Sequence, residues 1–154
     1  MLPAGVIFMP DFFLNPVELY KFTETEELKK CNEIIGQYGM VLTDEQIRNL
    51  VTGRFEALEQ TGRIEFGEGI LKKLILTFCD SPYISREYFE ETLLELQNLF
   101  YHFKNECDNT FTDDELIEYM NLVFNGKAEG SIEYLADISL EELCRTVRMN
   151  EYQF

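Results

Sequence analysis

The stretch Thr43-Asp44-Glu45-Gln46-Ile47 opens a run that closes at Gly62-Arg63-Ile64-Glu65-Phe66. The same arrangement returns as Thr112-Asp113-Asp114-Glu115-Leu116, closing at Gly130-Ser131-Ile132-Glu133-Tyr134. Thr43 with Gln46, and Thr112 with Glu115, each spell a capping box, in which two side chains satisfy backbone N–H groups that a helix start leaves free. Ile47, Leu50, Val51, Phe55 and Leu58 come after the first box at helical spacing. Leu116, Ile117, Met120, Val123 and Phe124 come after the second. The pattern predicts two capped amphipathic helices that end at glycine turns, and with them a duplicated helix–turn–helix unit.

The rest of the chain reads the same way. A helix is expected over 24–38, with Leu28, Cys31, Ile34, Ile35 and Tyr38 as its apolar stripe and Gly39 as its stop. Another is expected over 68–78, ended by Cys79-Asp80-Ser81-Pro82, because proline disfavours helical geometry in the residue before it. The longest runs from a Ser85 cap to about Cys107, with Phe89, Leu93, Leu96, Phe100 and Phe103 on its buried side. A turn over 132–135 is expected to precede a last helix capped by Ser139 with Glu142. Pro3, Pro10 and Pro16 mark residues 1–22 as an irregular, apolar arm. No stretch alternates like a strand. The expected fold is an all-α single-domain bundle of five to six helices over 1–154, with arm 1–22 and helical body 23–154.

Composition narrows the function. The chain has 154 residues and a net charge of −16, from 29 acidic and 13 basic residues. Binding nucleic acid through its phosphates needs clustered Lys and Arg, and an anionic membrane surface needs the same. Neither partner is expected. No stretch approaches the roughly 20 apolar residues of a membrane helix, and the arm lacks the basic start of a signal peptide. The cysteines at 31, 79, 107 and 144 form no C-x-x-C pair and have no histidine nearby to complete a zinc pattern. Free buried thiols in a cytoplasmic protein are expected.

The duplicated pattern resembles an EF-hand, whose twelve-residue loop supplies oxygen ligands around a glycine at position 6. Aligning Gly62 there places Ala57, Glu59, Thr61, Glu65 and Glu68 at ligand positions, with Ile64 at position 8. Aligning Gly130 places Asn125, Lys127, Glu129, Glu133 and Ala136 at ligand positions, with Ile132 at position 8. The resemblance covers residues 43–68 and 112–136 and is degenerate. Ala57 and Ala136 bring no side-chain oxygen, and Lys127 would set a cation beside Ca²⁺. It implies at most weak calcium binding through Glu59 and Glu68.

Other chemistry is sparse. His102 is the only histidine, which excludes a multi-histidine metal site, and its neighbours Glu91, Glu95, Asn98 and Glu106 read as a solvated helix face. Cys79 precedes an aspartate near a helix C-terminus, a setting that disfavours thiolate. Gly67-Glu68-Gly69 lacks the third glycine and the preceding strand of a dinucleotide site. An enzyme built on this chain would need carboxylates such as Glu65, Glu68 and Glu133 as acid and base. No catalytic, cofactor-binding or metal site is assigned, and no cofactor is expected. Between Ser85 and Glu118, ten acids face only Arg86 and Lys104. That run reads as a solvated face or as a docking surface for a basic protein segment.

As a whole chain, carried by Thr61-Gly62-Arg63-Ile64-Glu65-Phe66-Gly67 and Phe78-Cys79-Asp80-Ser81-Pro82-Tyr83, the sequence resembles a small family of uncharacterised proteins from anaerobic Firmicutes. That resemblance implies no activity. The functional expectation is a non-enzymatic protein–protein interaction module, acting on a protein partner or as a homodimer. The alternatives are a degenerate calcium-binding protein and a carboxylate-based enzyme.

Overall fold

The computed structural model describes residues 15–65, 69–107 and 110–151; at 138–140, 144 and 146–151 it describes the backbone alone. The described residues form α-helices and 3₁₀ turns and contain no strand. The helices are α1 (Pro16–Lys29), α2 (Asn32–Ile35), α3 (Asp44–Thr61), α4 (Leu71–Phe78), α5 (Phe89–Glu106), α6 (Asp113–Asn125) and α7 (Ile132–Glu151). Six of them have eight residues or more, and α2 is a single turn.

Both capping boxes form. The Thr43 hydroxyl accepts from the Gln46 N–H at 3.1 Å, while the Gln46 side chain accepts from the Thr43 N–H at 2.8 Å. Thr112 and Glu115 repeat this at 3.1 and 3.0 Å. The two units then part. Gly62 sits at φ +68° directly after α3, where the Arg63 N–H donates to the Leu58 carbonyl, a glycine-ended helix terminus. Gly130, at φ +82°, instead lies five residues past the end of α6 and just before α7. A side chain there would start 2.5 Å from the Cβ of Tyr83. One glycine ends a helix; the other lets two segments pack closely.

Several boundaries differ from expectation. The arm over 1–22 is helical from Pro16, and residues 1–14 lie outside the described residues. Pro16 is a start signal rather than a breaker: its fixed φ suits the first helical position. The Asn15 side chain caps it, accepting from the Glu18 N–H at 2.8 Å. The helix expected over 24–38 breaks at Lys30-Cys31 and ends in a 3₁₀ turn over 36–38. The break is held by Asn32, whose amide both donates to and accepts from the backbone of Leu42 at 2.9 Å. Gly39, at φ +80°, ends the segment as expected. The separate turn over 132–135 and the Ser139 cap do not exist, because α7 is continuous from Ile132. Its cap is Ser131, whose hydroxyl accepts from the Tyr134 N–H at 3.1 Å. The Ser-x-x-Glu pattern at 139 falls inside a helix whose Leu135 and Leu143, two turns apart, are both buried in the core. The long helix begins at Phe89 behind a 3₁₀ turn over 86–88, and Ser85 makes no side-chain cap.

Among the described residues, α5 is the central element. It packs on α3, α4 and α7, while α4 and α7 also pack on α6. Phe78, Phe89, Phe100, Phe103 and Phe124 are fully buried there, and each contributes about 1.5–3 kcal/mol of apolar transfer. Phe78 of α4 meets Phe124 of α6 edge to face at 5.6 Å. Gly53 in mid-α3 has a packing reason: a Cβ would lie 2.6 Å from a methyl of Leu94 on α5. One contiguous core runs from Leu28 to Leu143. The first helix is peripheral, its main contact being α3.

Candidate functional site

Among the described residues, the first three calcium-type positions of the first unit lie in a helix rather than a loop. Ala57, Glu59 and Thr61 all lie on α3. Ala57 is buried, Glu59 is exposed, and the Thr61 hydroxyl donates to the Ala57 carbonyl at 2.7 Å. Glu68 lies outside the described residues, as do Phe66 and Gly67. In the second unit, the Asn125 Oδ1 accepts from the Ser81 hydroxyl, its Nδ2 donates to Asn121 at 2.7 Å, and Lys127 pairs with Glu142 at 3.6 Å. Ile64 is exposed between α3 and α4, whereas Ile132 begins α7, so the two do not pair. Among the described residues, no three His, Cys, Asp or Glu side chains gather to hold a metal ion.

The other candidates are equally resolved by geometry. His102, Glu91, Glu95 and Asn98 are all exposed, along one side of α5. Cys31, Cys79 and Cys107 are buried; the side chain of Cys144 lies outside the described residues. Burial raises the Cys79 thiol pKa and the Asp80 charge raises it further. Burial likewise raises that of Cys31, with Lys72 opposing. Glu133 is exposed in the first turn of α7 and Glu65 is engaged in an ion pair.

That ion pair belongs to a cluster which sequence reasoning missed. Arg54 is only 1% exposed, on the buried face of α3 between Val51 and Leu58. Its Nη1 donates to Glu24 of α1 at 2.9 Å and to the Tyr20 hydroxyl at 3.2 Å. Its Nε and Nη2 reach Glu65 Oε1 at 2.9 and 2.7 Å. The Tyr101 hydroxyl of α5 donates to the same carboxylate oxygen at 2.7 Å. The guanidinium also faces the rings of Tyr20 and Phe55, at 5.2 and 5.6 Å. Burial pulls the Arg54 pKa down, but the Tyr20 hydroxyl and the charges of Glu24 and Glu65 outweigh it, so the net shift is upward. Burial and then the Glu65 charge push the Tyr101 phenol well above its usual range. Gly69 lies so close that a Cβ there would overlap the guanidinium. An arginine within an apolar helical stripe was the available signal, since a buried charge must find partners. The cluster ties α1, α3, α5 and the segment at Glu65 together. With these hydrogen bonds and ion pairs joining three helices and the segment at Glu65, it reads as a structural tie.

A different surface carries the exposed anchors. Val41 and Tyr88 are 44% and 56% exposed and line one open hollow of about 720 Å³ with Thr43, Gln46, Arg86 and Glu87. Ile34 and Tyr38, on the turns just before Val41, are also exposed. Glu87, Glu91 and Glu95 are exposed and succeed one another at spacings of four, which aligns Glu91 and Glu95 on one face of α5 leading away from the hollow. Asn49 of α3 donates to Glu90 at 2.9 Å, fixing the α3 and α5 starts beside it.

No helix among the described residues is long and apolar enough to cross a membrane. No curated protein and no solved structure matches the chain. The sequence profile of DUF6323, described as a family of unknown function, matches residues 27–153. That span holds Arg54, Glu65, Tyr101 and both sides of the hollow, and the chain belongs to this family of unknown function, DUF6323.

Proposed function

We propose that the protein is a non-enzymatic protein-interaction module that docks a basic protein segment through the hollow between Val41 and Tyr88 and the acidic face of α5. The observation that carries this reading is the juxtaposition of exposed apolar anchors with a directional row of carboxylates. Tyr and Arg at the edge of a hollow are the residue types that anchor protein interfaces. Glu87, Glu91 and Glu95 lead from that hollow along one side of the molecule. An apolar side chain of the partner seats between Val41 and Tyr88, and its Lys or Arg residues track the carboxylates. The net charge of −16 speeds the approach of such a partner and repels acidic ones.

A fluorescent amphipathic peptide of leucine and lysine, monitored by anisotropy at physiological salt, tests this. Binding should fall about tenfold, equivalent to about 1.4 kcal/mol, in Tyr88→Ala and further in Glu91→Lys/Glu95→Lys. The control Glu26→Lys/Glu27→Lys makes the same charge change on α1. If both charge variants weaken binding equally, net charge alone explains it and the proposed surface is wrong.

A further inference from the structure

We infer that the groove-side face of α1 is where two copies of this chain meet, with their first helices antiparallel about a two-fold axis. The face borders a groove between α1 and α3 with a volume of about 370 Å³. Phe22 stands on it 60% exposed, and Leu19 beside it is 49% exposed. Thr25 and Val51 are buried at the groove's floor. Aromatic surface left this open marks an interaction site.

The order of charges selects the occupant. Glu18, Lys21, Phe22, Thr25, Glu26 and Lys29 line the groove from α1, at the spacings of three and four that share one helix face. A two-fold axis gives each residue of one copy a counterpart on the other, reciprocally. With the axis level with the junction of Thr23 and Glu24, Glu18 stands opposite Lys29 of the second copy. Lys21 stands opposite its Glu26, and Phe22 opposite its Thr25. All four charges meet their opposites, and each pairing occurs twice. A parallel two-fold pairing would instead set each charge against its own copy, which repels.

Net charge points to the same face. Two chains of net charge −16 repel over most approaches. This groove is an exception, with Lys21, Lys29 and Arg48 against Glu18 and Glu26. A purely acidic partner would answer the basic excess but not the alternation of signs. Lys29 already reaches Glu26 and Asp44 of its own chain, and Glu18 of the second copy joins that network. One helix face and the edge of a second make a contact smaller than the roughly 800 Å² per partner of a standard interface, so the dissociation constant is on the order of 10 μM.

Sedimentation velocity of the full chain at about 50 μM, several times that constant, tests this with two charge variants. In Glu18→Lys, two lysines meet at each end of the interface; in Lys29→Glu, two glutamates do. Each alone should weaken dimerisation about tenfold or more. An equimolar mixture of the two should recover the dimer, because every cross-chain pair is again opposite in sign. Mixing cannot repair a fold damaged within either variant, so recovery reads the interface. Phe22→Asp should abolish the dimer and leave the circular dichroism unchanged. A wild-type chain that stays monomeric, its face bare or covered in another way, overturns the inference. So do single variants that remain dimeric, or a mixture that remains monomeric. No residue of the Val41–Tyr88 hollow lines this groove, and the peptide titration reads that surface separately.

Discussion

Replacing Arg54 with methionine should unfold the protein far more readily than its chemistry on paper suggests. Methionine fills similar volume and suits a helix, so the cavity and propensity costs are small. The loss is electrostatic. Glu24 and Glu65 lose their shared cation while their side chains are only 12% and 20% exposed. Removing one partner of a buried ion pair costs about 3–5 kcal/mol. The partial access of these carboxylates to water places the cost at the lower end, and the stacking against Tyr20 and Phe55 adds about 0.5–1 kcal/mol. The expected loss is therefore about 3–4 kcal/mol, or a fall in Tm of roughly 6–16 °C for a chain of this size. Urea unfolding monitored by circular dichroism at 222 nm measures it. Arg54→Lys should recover only part, because an ammonium cannot span Tyr20, Glu24 and Glu65 as the planar fork does. The triple change Arg54→Met/Glu24→Gln/Glu65→Gln should be more stable than Arg54→Met alone, since it removes the two carboxylate charges that the guanidinium had neutralised. A cost below about 1 kcal/mol for Arg54→Met, or a triple variant weaker than the single, would refute the claim that this cluster is a buried electrostatic tie.

Other consequences arise at single sites. Gly130→Ala should cost about 2–3 kcal/mol, because it meets both a left-handed φ and Tyr83 at 2.5 Å, whereas Gly62→Ala meets only the φ and should cost about 1 kcal/mol; thermal melts of the two rank them. Gln97→Met should stabilise by about 1 kcal/mol, because the buried Gln97 Oε1 has no hydrogen-bond partner among the described residues, again by urea titration. The Tyr101 phenol has its pKa raised by burial and by Glu65, so its stabilising effect is whole below the unfolded tyrosine value and is lost as pH rises beyond it. Stability should fall above about pH 10 by up to about 1.4 kcal/mol per pH unit for that group. Tyr101→Phe should flatten the slope, and absorbance at 295 nm should show this phenol ionising only on unfolding. In a Cys144→Ser protein, the three buried thiols should resist a disulfide reagent such as DTNB until urea unfolds the chain.

The parts of the fold legible in the sequence were local. Thr43 with Gln46, and Thr112 with Glu115, state their helix starts within four residues, and both form as read. Asn15-Pro16 states one in the same terms, but proline's two roles, breaker and first helical residue, are told apart only by whether the residues after it continue as a helix. Ser139 misleads for the converse reason: Ser-x-x-Glu inside a helix looks like a cap unless the buried face of Leu135 and Leu143 is traced through it. The candidate surfaces were not legible because their parts are distant. Arg54 meets Glu24 thirty residues away, and the hollow joins Val41 to Tyr88 across two segments. The exposed row Glu87, Glu91 and Glu95 was visible as an acidic run, but its meeting with apolar anchors needed the fold.

The most direct test of the docking surface is an NMR titration of the ¹⁵N-labelled full chain with the leucine–lysine peptide. The account predicts saturable amide shifts concentrated at Val41, Arg86, Tyr88, Glu91 and Glu95, with α7 unmoved. Shifts spread evenly over exposed carboxylates throughout the molecule, without saturation, would contradict a defined docking site.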